Sequence, residues 1–172
     1  MKSLTKEEFE VLANRCESDR KYFIDGKRWE YFQMSISIAE KLNIDSVLEL
    51  GPHTISLFHD SDIMDKSHHA RLSSKLTYLM DACSSWDNVL NYDLLVALQV
   101  FEHFEGKQKE VWIEVCKHCT YAIVSIPYKW SKFCGHIGLD ENTLQSWIGE
   151  STILESHITK NNMKRLICLI KC

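Results

Sequence analysis

The run Tyr92-Asp-Leu-Leu-Val-Ala-Leu-Gln-Val-Phe-Glu-His103 is apolar through its middle, with no alternation of polar and apolar positions. Such a run suits a parallel strand covered on both faces. An aspartate opens it, and a carboxylate and an imidazole stand just past its end, where open α/β sheets bind ligands. Ser46-Val-Leu-Glu-Leu-Gly51 reads as an earlier short apolar strand, broken at Gly51-Pro52. Further strands are predicted around Ser61–Met64, Leu76–Met80, Leu94–Leu98 and Tyr121–Ile126. Arg165–Lys171 reads as a final strand, with Ser151–Ile158 as its antiparallel partner. Helical spacing appears elsewhere. Thr5 to Glu8 forms a capping box ahead of Phe9, Leu12, Ala13 and Cys16. Trp29, Phe32, Ile36 and Ala39 share one face of a second helix ending near Asn43. A third spans Gly106 to His118, with Val111, Trp112, Ile113 and Val115 among its apolar positions. Asp140 caps a short fourth helix holding Leu144, Trp147 and Ile148, closed by Gly149 in a left-handed conformation.

Strands alternating with helices predict an α/β fold: a doubly wound, mostly parallel sheet with an antiparallel C-terminal strand. The 172 residues suit one domain, with helices over 1–43 and the sheet core over 44–172. The crossovers are short. Ten residues lie between Leu50 and Ser61, close to the lower limit for a parallel connection. Helices there are a turn or two, or missing, and one sheet face is thinly covered. A second copy of the chain or a partner protein is expected on that face.

Hydrophobic residues at 45% and charged residues at 26% are ordinary for a soluble globular protein. A net charge of -4, with lysines and arginines scattered, gives no basic field for nucleic acid. No apolar run approaches the roughly 20 residues of a membrane span. The opening Met1-Lys2-Ser3-Leu4-Thr5 has no signal-peptide core. Seven cysteines at irregular spacing read as reduced thiols, and a cytoplasmic location is expected. Cys116-Lys-His-Cys119 has zinc-like spacing, but no second pair matches it. His68-His69 reads as a loop rather than a metal site. A nucleophile elbow, a phosphate loop and a zinc-protease helix motif are all absent from the sequence.

Five segments in order resemble the class I, Rossmann-like S-adenosylmethionine-dependent methyltransferases, in their small-molecule branch. Val47-Leu-Glu-Leu-Gly51 is similar to the first strand and its turn. Asp62-Ile-Met-Asp65 matches the second strand, Leu79-Met-Asp-Ala82 the third, Tyr92 to His103 the fourth, and Ala122-Ile-Val-Ser-Ile-Pro127 the fifth. The resemblance covers the chain from about Ala39 onward. It departs at the glycine-rich turn, where Gly51 is followed by Pro52-His53-Thr54-Ile55. Proline removes a backbone donor there, and His53 and Thr54 add bulk.

The resemblance implies S-adenosylmethionine as cofactor and a small-molecule hydroxyl or amine as acceptor. It places Glu49 beside the methionine end, with Gly51 allowing close backbone approach. It gives the ribose hydroxyls to Asp65, with Asp62 as competitor, and the adenine amino group to Asp81. Ala82 would pack on the adenine ring, Trp86 could stack on it, and Leu98 and Gln99 would line the floor. His103 is the candidate general base because an imidazole suits proton removal at neutral pH. His136, past the fifth strand, is the second candidate, and Tyr128 and Trp130 could wall the acceptor pocket. The altered turn and short crossovers also admit another reading, a catalytically inactive methyltransferase-like binding or assembly module.

Overall fold

A computed structural model describes residues 1–16, 27–66, 76–131 and 138–172. Seven strands form one sheet: β1 Val47–Leu50, β2 Asp62–Asp65, β3 Leu76–Leu79, β4 Tyr92–Leu98, β5 Cys119–Pro127, β6 Thr152–Ile158 and β7 Arg165–Lys171. Their order is β3-β2-β1-β4-β5-β7-β6. The pairings from β3 across to β5 are parallel, and β7 runs antiparallel to both β5 and β6. Each predicted strand is present, with ends shifted by a residue or two.

The central strands bury both faces, and their side chains divide by the period-2 rule. Leu95, Ala97, Ala122 and Val124 point into one core with Trp86, Phe101 and Trp112. Leu94, Val96 and Ile123 point into the other with Phe9, Tyr31 and Phe32. The first core is covered by α3 (Gln108–His118) and α4 (Glu141–Ile148), the second by α1 (Lys6–Arg15) and α2 (Lys27–Ala39). The capping box of α1 is formed, with Glu8 N–H donating to Thr5 Oγ1 at 3.2 Å and Thr5 N–H to Glu8 Oε2 at 2.9 Å. Ile113, expected among the apolar positions of α3, is exposed, because the buried stripe runs through Val111, Trp112 and Val115. Gly149 has φ 62° but ψ -122°, so it ends α4 outside the left-handed helical well.

No helix occurs in the β1–β2 crossover or between β3 and β4. Loop side chains cover those places instead. Ile55, Leu57 and Phe58 are buried in the α1/α2 core, and Trp86 and Val89 in the opposite one. Part of the cover that the sequence reading assigned to a partner therefore comes from the chain itself. The β1–β2 crossover is held at both ends: Leu4 N–H donates to Leu57 O at 2.8 Å and His59 N–H to Lys2 O at 3.1 Å. Among the described residues no helix is long and apolar enough to cross a membrane.

Candidate functional site

A cleft of about 700 Å³ opens over the carboxyl ends of β1, β2 and β4, within the size range of small-molecule sites. Glu49, Gly51, Asp65, Asp81, Ala82, Leu98, Gln99 and His103 all line it. These residues come from four separate segments, and parallel strands with a common direction bring their ends to one rim. His136, the second candidate base, lies outside the described residues, as do His68 and His69.

Glu49 is 1% exposed. Its carboxylate accepts from Leu57 N–H at 2.9 Å, Phe58 N–H at 3.1 Å and Ser61 Oγ at 2.6 Å. An acid at a strand end thus ties down a crossover that has no helix. Gly51, at φ 58°, donates its N–H to Met64 O at 2.8 Å, and an added Cβ would lie 3.2 Å from Val100 Cγ2. Two positions on, where the family's turn is glycine-rich, His53 occupies the left-handed region at φ 61°. Gln99 at φ 60° and Glu105 at φ 48° share that conformation. Such strained residues cluster where surrounding structure enforces them, commonly at sites.

The two aspartates near β2 separate cleanly. Asp62, at the strand's start, accepts from Tyr92 Oη at 2.6 Å and Thr77 Oγ1 at 2.6 Å and does not line the cleft. Asp65, at its end, is buried in the cleft wall. Asp81 is exposed at the rim, and the Cys83 N–H that donates to its Oδ1 at 2.9 Å holds its pKa below the usual carboxylate range. Burial, and then the same aspartate, push the Cys83 thiol up. Gln99 N–H donates to Ser125 O at 3.0 Å, and its Nε2 to Ser125 Oγ at 3.1 Å, fixing the end of β4 against β5.

Two sequence-based assignments change. Trp86 does not stack in the cleft: it is fully buried, its Nε1–H donates to Ala82 O at 3.0 Å, and its ring packs on His118. Tyr128 and Trp130 wall a separate hollow of about 380 Å³ with Lys164 and Met163. The sequence reading also missed one wall, made by Arg28, Tyr31 and Phe32 of α2. An arginine one turn from two aromatics at a helix start was the available signal. Burial pushes the neighbouring Glu102 up to about 8. Among the described residues no group of His, Cys, Asp and Glu is arranged to hold a metal. Cys119 is buried, and that burial pushes its thiol up to about 12.

No family model matches the sequence, and no curated protein does. Solved structures do match. The methyltransferase domain of a bacterial Hen1 protein (CtHen1) superposes with a TM-score of 0.67 at 14% identity, over 84% of this chain and 99% of that one. The fold is the class I methyltransferase fold. An S-adenosylmethionine-dependent methyltransferase from Clostridium acetobutylicum matches at 0.64 and 14% identity, covering 95% and 98% of the two chains. The N-methyltransferase NodS from Bradyrhizobium japonicum, solved with S-adenosyl-L-homocysteine, matches at 0.67 and 13%, covering 98% of each.

Proposed function

We propose that the chain is an S-adenosylmethionine-dependent methyltransferase acting on a hydroxyl or amine of a small molecule. The observation that carries this reading is the convergence of Gly51, Asp65, Asp81, Ala82 and Gln99 with His103 on one cleft, in a fold shared with methyltransferases. The residues present fit the donor. Asp65 and Asp81 are two acids at successive strand ends, suited to paired ribose hydroxyls and an exocyclic amine. Gly51 lets backbone approach a ligand where a side chain would collide with Val100.

When bound, S-adenosylmethionine supplies a methyl group on an already activated sulfonium. The chain's task is then largely placement. Asp65 and Asp81 orient the nucleoside, Leu98 and Gln99 form the floor, and the Glu49 network keeps the β1–β2 crossover in position. An imidazole nitrogen of His103 removes the proton from an acceptor hydroxyl or amine, a role for which His136 is the alternative.

Calorimetric titration with S-adenosylhomocysteine tests the reading. Wild type should bind, and Asp81→Ala should weaken binding about tenfold to a hundredfold, the cost of a charged hydrogen bond. Unchanged affinity in the variant removes the adenine role, and no binding by wild type overturns the donor. The inactive-module reading is favoured by one observation, the bulky His53 held at φ 61° in the turn. Under that reading S-adenosylhomocysteine does not bind.

A further inference from the structure

Three cysteines gather at the edge of the sheet away from the cleft. Cys116 lies in the last turn of α3, Cys119 opens β5, and Cys172 follows β7. Because β4 and β5 run parallel, the start of β5 lies opposite the rim that carries the cleft. The antiparallel β7 returns to that edge, where Cys172 N–H donates to Thr120 O at 3.1 Å. Residues 56 positions apart in the chain thereby become neighbours, and the Cys172 thiol donates to the Cys116 sulfur. Both of these cysteines are partly exposed, whereas Cys119 is buried.

The sulfur of Cys116 has a second donor beside it. Ser151 Oγ accepts from Trp112 Nε1–H at 3.0 Å, which leaves its own proton for Cys116 Sγ, 3.6 Å away. A sulfur flanked by two donors is suited to being a thiolate, because a hydrogen bond to an anion is stronger than one to a neutral acceptor. The carboxyl end of α3 disfavours negative charge there, but a helix end acts more weakly than two direct donors. The Cys172 hydrogen bond, helped by Ser151, accordingly holds the Cys116 pKa below the usual thiol range against the opposing effect of burial. Cys172, as the donor, is pushed up, and burial pushes up Cys119 and Cys168. Cys83, the partly exposed thiol outside this cluster among the described residues, is pushed up as well. One thiolate beside one thiol is the arrangement that an attacking and a resolving sulfur require.

We propose that Cys116 and Cys172 form a reversible disulfide in response to hydroperoxides, with Cys116 as the attacking sulfur and Cys172 as the resolving one. The Cys116 thiolate attacks one oxygen of the hydroperoxide, the O–O bond breaks, and the other oxygen takes up a proton and leaves as water or an alcohol. The Cys172 sulfur then attacks the sulfenic acid on Cys116. The S–S bond forms, the S–O bond breaks, and the hydroxide leaves as water with the Cys172 proton. Two thiols lose two electrons and two protons, and the peroxide is reduced. Sulfurs already in hydrogen-bond contact are within side-chain reach of the roughly 2.05 Å bond, and a small thiol such as glutathione reverses it by exchange. The bond pins the end of β7 to α3 on the far side of the sheet from the cleft, so it does not depend on the methyltransferase reading.

The test is to treat the full chain with hydrogen peroxide, alkylate the remaining thiols and map all seven cysteines by mass spectrometry. The expected product is a pair of peptides joined through Cys116 and Cys172, formed ahead of every other cysteine pairing and separated again by dithiothreitol. Cys172→Ser should trap Cys116 as a sulfenic acid that dimedone labels, whereas Cys116→Ser should leave Cys172 unlabelled. In untreated wild type at about pH 7, iodoacetamide should alkylate Cys116 at least about tenfold faster than Cys83, as thiolate content dictates. The proposal is overturned if Cys116 of the wild-type chain joins another cysteine or none. It is equally overturned if dimedone labels Cys172 in the Cys116→Ser protein, or if Cys116 reacts no faster than Cys83.

Discussion

The two ends of the cleft are built on opposite rules. At the β1–β3 end, polar groups are already satisfied by the protein: Glu49 receives three donors, and Asp81 receives the Cys83 amide. At the β4–β7 end, the Tyr31 hydroxyl, one oxygen of Glu102 and the Arg165 Nε are buried without partners among the described residues. A satisfied buried network stabilises and fixes the backbone, whereas an unsatisfied buried polar group costs roughly 1–3 kcal/mol. The first end is therefore a frame that exists before any ligand arrives. The second carries a cost that a ligand could relieve.

The largest effect should come from breaking the frame. Glu49→Ala leaves two buried amides without an acceptor, while the Ser61 hydroxyl keeps Phe58 O, and should cost on the order of 3–5 kcal/mol, read as a fall in the urea unfolding midpoint. If stability changes by less than about 1 kcal/mol, the crossover is held by something other than this carboxylate.

Next is Glu102, at the unsatisfied end. Burial raises its folded pKa from the usual 4.5 to about 8. Between those values the unfolded chain is ionised at this residue while the folded one stays protonated. The unfolded state then binds fewer protons, so stability falls as pH rises through this window and levels off above it. Glu102→Gln should flatten that slope and be more stable than wild type by on the order of a few kcal/mol at about pH 9, with little difference below about pH 4. Parallel profiles for the two proteins, measured by denaturant titration across this range, would show that Glu102 is not the source.

The smallest effect separates two positions of the turn. Gly51→Ala should lose about 1–2 kcal/mol, because alanine resists the left-handed region and its Cβ presses on Val100. His53→Gly should change stability by less than about 1 kcal/mol, since relief of the left-handed conformation is offset by glycine's backbone entropy. Thermal unfolding of the pair measures the contrast, and equal losses would erase it.

Much of the frame was legible from the sequence, for a definite reason. Strands buried on both faces need unbroken apolar runs, so Leu94–Leu98 and Ala122–Ile126 announce themselves. Strand direction then carries Glu49, Asp65 and Asp81 to one rim. The other end of the cleft was not legible, because Tyr31 and Arg165 are 134 positions apart and meet only through packing of α2 on the sheet. Trp86 misled for the same reason: its place near Ala82 in the chain says nothing about which side of the loop the indole occupies. Asp62 and Asp65 lie three residues apart in a strand, which puts them at opposite ends of it. No local pattern shows that the Glu49 oxygens are taken by amides eight and nine residues later.

One feature of the sheet bears on how the protein is made. β7 is the last of the seven strands to leave the ribosome, yet it lies between β5 and β6. Until Arg165–Lys171 emerges, the nascent chain presents β5 as an open edge, with Ile123, Val124 and Ile126 unpaired along it. Open apolar edges recruit other strands, and pairing over long sequence separations is slow. Assembly of this sheet therefore passes through an interval of exposure to aggregation that ends only when β7 is inserted.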